Sequence, residues 1–98
     1  MTEPSETVDA FLIGLVQLRQ PARGYRAGVD PVLLAAATPG EAGQSVLELG
    51  CGAGAASLCL NARVKGMTFV GVELQSYYAD LARRNAAENN VHMEVVEA

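Results

Sequence analysis

Several residue types are too scarce in this chain to carry its chemistry. It holds no tryptophan, three tyrosines and two phenylalanines in 98 residues, so any core is modest and largely aliphatic. Cysteine appears only at Cys51 and Cys59, a spacing that fits neither a zinc site nor a redox pair. The expectation is two reduced thiols and no metal. The single histidine, His92, has no partner pattern and reads as a strand-surface residue. No apolar run approaches the length of a membrane span, and Met1 to Glu6 is acidic and polar, unlike a secretory leader. A cytoplasmic protein without membrane partners is expected. Nor is there a basic excess: the formal net charge is −4, which does not announce a nucleic-acid binder. Internal repeats and low-complexity tracts are missing too.

What stands out is the run Ser45-Val46-Leu47-Glu48-Leu49-Gly50-Cys51-Gly52-Ala53-Gly54-Ala55-Ala56. It reads as an apolar strand, a glycine-rich turn and the start of a helix. A second strand, Thr68 to Glu73, ends in an acid. This is a βαβ unit suited to a nucleoside-like ligand: glycines let the backbone approach it, and the acid can accept hydrogen bonds from ribose hydroxyls. Gly50-x-Gly52-x-x-Ala55 also satisfies the dinucleotide fingerprint, with Glu73 at a suitable separation. Glu48 argues against that reading. A carboxylate near the strand end suits a ligand bearing ammonium and sulfonium groups and suits a pyrophosphate poorly. The bland alternative is a tight strand-to-helix turn that binds nothing. The spacing Glu48-x-Gly50-x-Gly52-x-Gly54 resembles the signature of class I methyltransferases, which implies S-adenosylmethionine as cofactor.

Along the chain, residues 1–8 read as a frayed polar tail and Asp9 to Arg19 as a strand, although a short helix also fits that stretch. The turn-rich stretch Gln20 to Gly28 follows. Asp30 is expected as N-cap, with Pro31 opening a helix that Pro39-Gly40 stops. The strand Ser45–Leu49 leads to a helix over Ala53–Val64, then the strand Thr68–Glu73. A helix capped by Ser76 runs from Tyr77 to Glu88, and a strand spans Val91–Val96. Such alternation predicts an α/β fold of parallel strands. With the resemblance to class I methyltransferases, the expectation is the N-terminal half of their Rossmann-like fold, with strands in the order 3-2-1 and flanking helices. The chain reads as one incomplete domain. Residues 1–40 form a segment closing over substrate and cofactor, and residues 41–98 the βαβαβ half that binds S-adenosylmethionine.

The segment Gln20-Pro21-Ala22-Arg23-Gly24-Tyr25-Arg26-Ala27-Gly28-Val29-Asp30-Pro31-Val32-Leu33-Leu34 is similar to the N-terminal signature of bacterial tRNA-valine adenine-N6 methyltransferases. Val72-Glu73-Leu74-Gln75 and Leu81-Ala82-Arg83-Arg84-Asn85 fit that group as well. The resemblance implies that Gly50, Cys51 and Gly52 contact the methionine part through the backbone, and that Gly54 belongs to the same cofactor-binding loop. It implies that Glu48 faces the ammonium, Glu73 binds the ribose and Leu74 packs on the adenine. Gly28 and Asp30 would close the methionyl end, and tRNA would be the substrate. Arg19, Arg23 and Arg26 cluster before the glycine motif and become candidates for tRNA contact, although by charge alone they read as a solvated loop.

The resemblance also sets a limit. The Asn-Pro-Pro-Tyr motif that holds the target adenine in that group lies beyond the fourth strand and does not occur here, so no catalytic residue is assigned. The chain is expected to be a C-terminally truncated methyltransferase, inactive alone and prone to self-associate through its unpaired first strand. Other readings are a protein-glutamine or small-molecule methyltransferase, a non-catalytic half-Rossmann binding module and, more distantly, an NAD-dependent oxidoreductase.

Overall fold

The computed structural model describes residues 5–98. In chain order they form β1 (Glu6–Phe11), β2 (Val16–Pro21), α1 (Asp30–Ala37), β3 (Ser45–Leu49), α2 (Ala55–Arg63), β4 (Thr68–Glu73), α3 (Ser76–Glu88) and β5 (Met93–Glu97). The last three strands make a parallel sheet in the order β3-β4-β5, with Ser45 opposite Thr68 and Phe69 opposite Met93. Alternation along β4 buries Phe69, Gly71 and Glu73 on one face. On that side α3 packs against β4 and β5, and α2 packs against α1 and β2. None of the helices among the described residues is long and apolar enough to cross a membrane.

The N-terminal region departs from expectation. Instead of one strand over Asp9–Arg19, the chain makes an antiparallel hairpin in which Glu6 pairs with Pro21 and Phe11 with Val16. It reverses over Leu12, Ile13 and Gly14, at φ of 53°, 55° and 86°. Leucine and β-branched isoleucine in left-handed backbone carry none of the Asn-Gly chemistry that announces a turn. The tail expectation over residues 1–8 is corrected as well. Strand β1 begins at Glu6, whose carboxylate accepts both Arg84 guanidinium nitrogens at 3.1 Å. Residues 1–4 lie outside the described residues.

The hairpin belongs to the same core as the rest. Val16 and Leu18 of β2 are buried with Leu58 of α2 and Phe69 of β4. Its outer edge is closed by two asparagines four residues apart, Asn85 of α3 and Asn89, the residue that caps the helix C-terminus. Asn85 Oδ1 accepts the Arg19 N–H at 2.8 Å, while its Nδ2 donates to Arg19 O at 3.0 Å and to Ala53 O at 2.9 Å. Asn89 repeats this at Gln17, accepting its N–H at 2.9 Å and donating to its carbonyl at 2.7 Å. Alternate residues of a strand present both groups on one edge, and side-chain amides at i and i+4 of the helix satisfy them as a neighbouring strand would.

Element ends shift for local reasons. Asp30 is the first residue of α1 rather than its cap, and makes no capping hydrogen bond. Its charge complements the helix dipole from within the first turn. Helix α2 starts at Ala55 rather than Ala53, because Gly54, at φ 95°, must first complete the turn. Ser76 does not cap α3. It is the first helical residue, and its hydroxyl donates to Glu97. Strand β5 starts at Met93, not Val91, since Val91 N–H still bonds Ala86 O at 2.8 Å. His92 therefore lies exposed in that turn, before the strand.

Candidate cofactor site

The turn after β3 is tied to the neighbouring strand by one carbonyl. Val72 O accepts the N–H groups of both Gly50, at 2.7 Å, and Cys51, at 3.0 Å. The turn then passes through Gly50 and Gly52 at φ of 68° and 56°. A methyl group built on either glycine would meet nothing within 4 Å. Glycine is demanded there by backbone conformation, and the space above the turn is left open. The backbone contact with a ligand that the resemblance implies for Cys51 does not run through its N–H, because Val72 already takes it. Burial, with the charges of Glu48 and Glu73 nearby, pushes the Cys51 thiol up to about 11. It is an inert thiol at neutral pH.

Glu73 ends β4 under this turn, 9% exposed. Its Oε1 accepts the Gly52 N–H and its Oε2 the Gln75 N–H, each at 2.9 Å. A carboxylate has about four acceptor positions, so two remain for a ligand. Glu48 projects from β3 to the start of α2, where Gly54 has no side chain with which to cap the helix. Its Oε1 accepts the Ser57 hydroxyl at 2.7 Å, and its carboxylate also takes the Ser57 backbone N–H in the first turn of α2, which makes Glu48 a cap delivered from another element. Desolvation raises its pKa, and the hydrogen bonds from the Ser57 hydroxyl and backbone partly oppose the rise.

These groups border a cavity of about 450 Å³, a size ordinary for small-molecule sites. Its charged lining consists of Asp30, Glu48 and Glu73, and it has no lysine, arginine or histidine. A space walled by fixed acids selects for positive charge and repels phosphate. Gly50, Cys51, Gly52, Asp30, Glu48 and Glu73 are thus brought together. Gly28, Gly54 and Leu74 are not among the lining residues. Gly54 is buried, donates its N–H to Cys51 O at 2.9 Å and packs beside Ala82 of α3. Leu74 is 78% exposed. Gln20, Tyr25, Gln75 and Tyr78 add uncharged polar side chains to the wall and were not anticipated, because no spacing in the sequence links β2, the following loop and α3.

The three arginines disperse. Arg19 pairs with Glu88 at 2.7 Å and Arg26 with Asp9 at 3.0 Å, while Arg23 is exposed in the turn. None lines the cavity.

Residues 46–98 match the family model described as a methyltransferase domain. The chain belongs to this methyltransferase domain family. Solved structures agree. An S-adenosylmethionine-dependent methyltransferase from Thiobacillus denitrificans, in complex with S-adenosyl-L-homocysteine, is 27% identical at a TM-score of 0.61; the match covers 69% of this chain and 28% of that one. A protein from Agrobacterium tumefaciens described as a predicted O-methyltransferase is 33% identical at a TM-score of 0.59, over 70% of this chain and 36% of that one. A protein from Pyrococcus horikoshii shares the fold over 97% of this chain and 37% of its own, at a TM-score of 0.74 and 17% identity, so the hairpin and α1 lie within the matched fold. This methyltransferase domain therefore spans about a third of the length of these structures. No curated protein sequence matches it.

Proposed function

We propose that this chain is the cofactor-binding half of a methyltransferase and that its cofactor is S-adenosylmethionine. The observation that carries the reading is the cavity's charged lining: Asp30, Glu48 and Glu73, with no cation. A dinucleotide brings a pyrophosphate and would meet acids with no cation to balance it, whereas an ammonium and a sulfonium are attracted. The open space above Gly50 and Gly52 and the two spare acceptor positions on Glu73 fit a ribose held close to the backbone. When bound, S-adenosylmethionine supplies an electrophilic methyl group, so the protein's work is alignment and exclusion of water. In this reading Glu73 orients the ribose, Glu48 and Asp30 balance the positive charge, and the Gly50–Gly52 turn sets the depth of the ligand. Calorimetry on the protein should show S-adenosylmethionine uptake and no uptake of NADH. Glu73→Ala should weaken binding by about 1–3 kcal/mol, since two charge-assisted hydrogen bonds are lost. Uptake of NADH alone would sink the assignment.

For the acceptor, the reading is adenine N6 in tRNA. It rests on the likeness of the Gln20–Leu34 segment to that group of enzymes and on the arginines at its start. Arg19 and Arg26 already neutralise acids, so Arg23 is the side chain with charge to spare. Arg23→Ala should flatten the salt dependence of tRNA binding by about one unit of slope, and Arg19→Ala or Arg26→Ala by less. Equal slopes in all four proteins would remove tRNA contact from this segment.

A further inference from the structure

Residues 22–29 contain neither helix nor strand, yet they supply Tyr25 and Ala27 to the cavity wall and lead directly into Asp30. Irregular backbone has no ladder to hold it, so side chains must fix its position. At one end the Tyr78 hydroxyl of α3 donates to Tyr25 O at 3.0 Å. Gly24 passes beneath that hydroxyl at φ 97°. At the other end the attachment runs through β2. The inward positions of that strand are Val16, Leu18 and Gln20, and the third is polar although only 3% exposed. Both ends of its amide are used. Gln20 Oε1 accepts the Ala27 N–H at 2.6 Å, and Nε2 donates to Asp9 Oδ2 at 2.9 Å. The same Asp9 oxygen accepts from Arg26 at 3.0 Å and from the Thr7 hydroxyl at 2.8 Å. Arg26 also donates to Thr7 Oγ1 at 2.9 Å and Pro21 O at 2.6 Å. The Gln20 amide, with the Thr7 hydroxyl and Arg26, keeps the Asp9 carboxyl below its usual range.

An apolar residue at position 20 would satisfy the burial pattern without holding the loop. We propose that Gln20 is a positioning residue of the cofactor cavity. It fastens the 22–29 segment to the hairpin so that Tyr25, Ala27 and Asp30 stand ready as one wall before the ligand arrives. The inference rests on the cofactor reading above. Without the clasp the wall is assembled only part of the time, and apparent affinity falls by the fraction of time it is assembled.

The test is Gln20→Met, which keeps length and apolar volume but removes both hydrogen bonds. In the ligand-free protein, amide exchange at Ala27 should accelerate about tenfold or more, while exchange at Leu58 in α2 stays unchanged. Affinity for S-adenosylmethionine should fall about tenfold. Arg26→Leu, made at the surface, should move both readings the same way by less, and Arg26→Lys, which keeps a charge facing Asp9, should restore part of the loss. Unchanged Ala27 exchange in Gln20→Met would overturn the proposal. So would wild-type affinity in a variant whose Ala27 amide had been freed. Failure of the wild-type chain to take up S-adenosylmethionine would instead overturn the cofactor reading, and this inference with it.

Discussion

Glu48 does two jobs that pull its carboxyl in opposite directions. As a cap for α2 it is stabilised in the charged form by Ser57, while burial in the cavity wall disfavours that form and prevails. A carboxyl whose folded pKa is raised binds its proton more tightly in the folded state. Its contribution to stability is therefore complete below the unfolded pKa and is lost as pH climbs through the folded one. The contribution of Glu48 to the stability of the ligand-free protein should fall as pH rises from about 4 toward neutrality, against the opposite trend of the lowered carboxyls Asp9 and Glu88, so it is read as the difference between wild type and a Glu48 variant. Glu48→Gln, still able to accept from Ser57, should melt higher than wild type at pH 7 and equally at pH 4. The same variant should bind S-adenosylmethionine more weakly at pH 7, because the cation then loses its counter-charge. Thermal melts at both pH values and a binding titration check the pair of outcomes. A variant that melts lower than wild type at pH 7 would mean that the cap outweighs the buried charge.

At the scale of elements, the buried part of the joint between the hairpin and α3 rests on Asn85, while the bonds of Asn89, Arg84 and Glu88 lie nearer the surface. Asn85 is fully buried and makes three hydrogen bonds, two to Arg19 and one to Ala53 beside the glycine turn. Asn85→Ala would leave these backbone groups without partners, and urea unfolding should show a loss of about 3 kcal/mol. The exposed Arg19–Glu88 pair bridges the same elements, yet Glu88→Ala should cost less than about 1 kcal/mol, because surface pairs are screened. Similar losses in the two variants would contradict the assignment of the joint to Asn85. A second close contact lies under the cofactor turn. A methyl group on Gly71 would come within 2.8 Å of Cys51 Sγ and 3.1 Å of its Cβ, so β4 must carry glycine where the turn descends onto it.

At the scale of the whole molecule, one sheet face stands uncovered among the described residues. Leu47 lies opposite Val70, and Leu49 opposite Val72, which in turn pairs with Val96. Leu47 and Leu49 are 63% and 74% exposed, and among the described residues the outer edge of β3 has no partner strand. Parallel sheets are ordinarily covered on both faces, and an open apolar edge invites another strand. The 98-residue chain by itself should self-associate in a concentration-dependent way. Leu47→Lys should shift it toward monomer in sedimentation experiments, and a monomeric wild-type chain at high concentration would refute this expectation.

The cofactor turn and the strands beside it were legible in the sequence because their causes are local. Three glycines in five residues impose a left-handed path, and short apolar runs flanked by turn residues bounded Ser45–Leu49 and Thr68–Glu73 as the structure has them. The acids Glu48 and Glu73 were legible by position, but their partners Ser57, Gly52 and Gln75 were not. Tertiary structure alone decided the rest. A left-handed Leu12-Ile13 turn makes the hairpin without any turn signature, and Asn85 reaches across 66 residues to close its edge. Gln20, Tyr25 and Tyr78 become walls of one cavity only when β2, its following loop and α3 are packed together. Backbone conformation depends on neighbours along the chain and can be read from spacing. A cavity wall depends on which distant elements share a core, and no spacing encodes that.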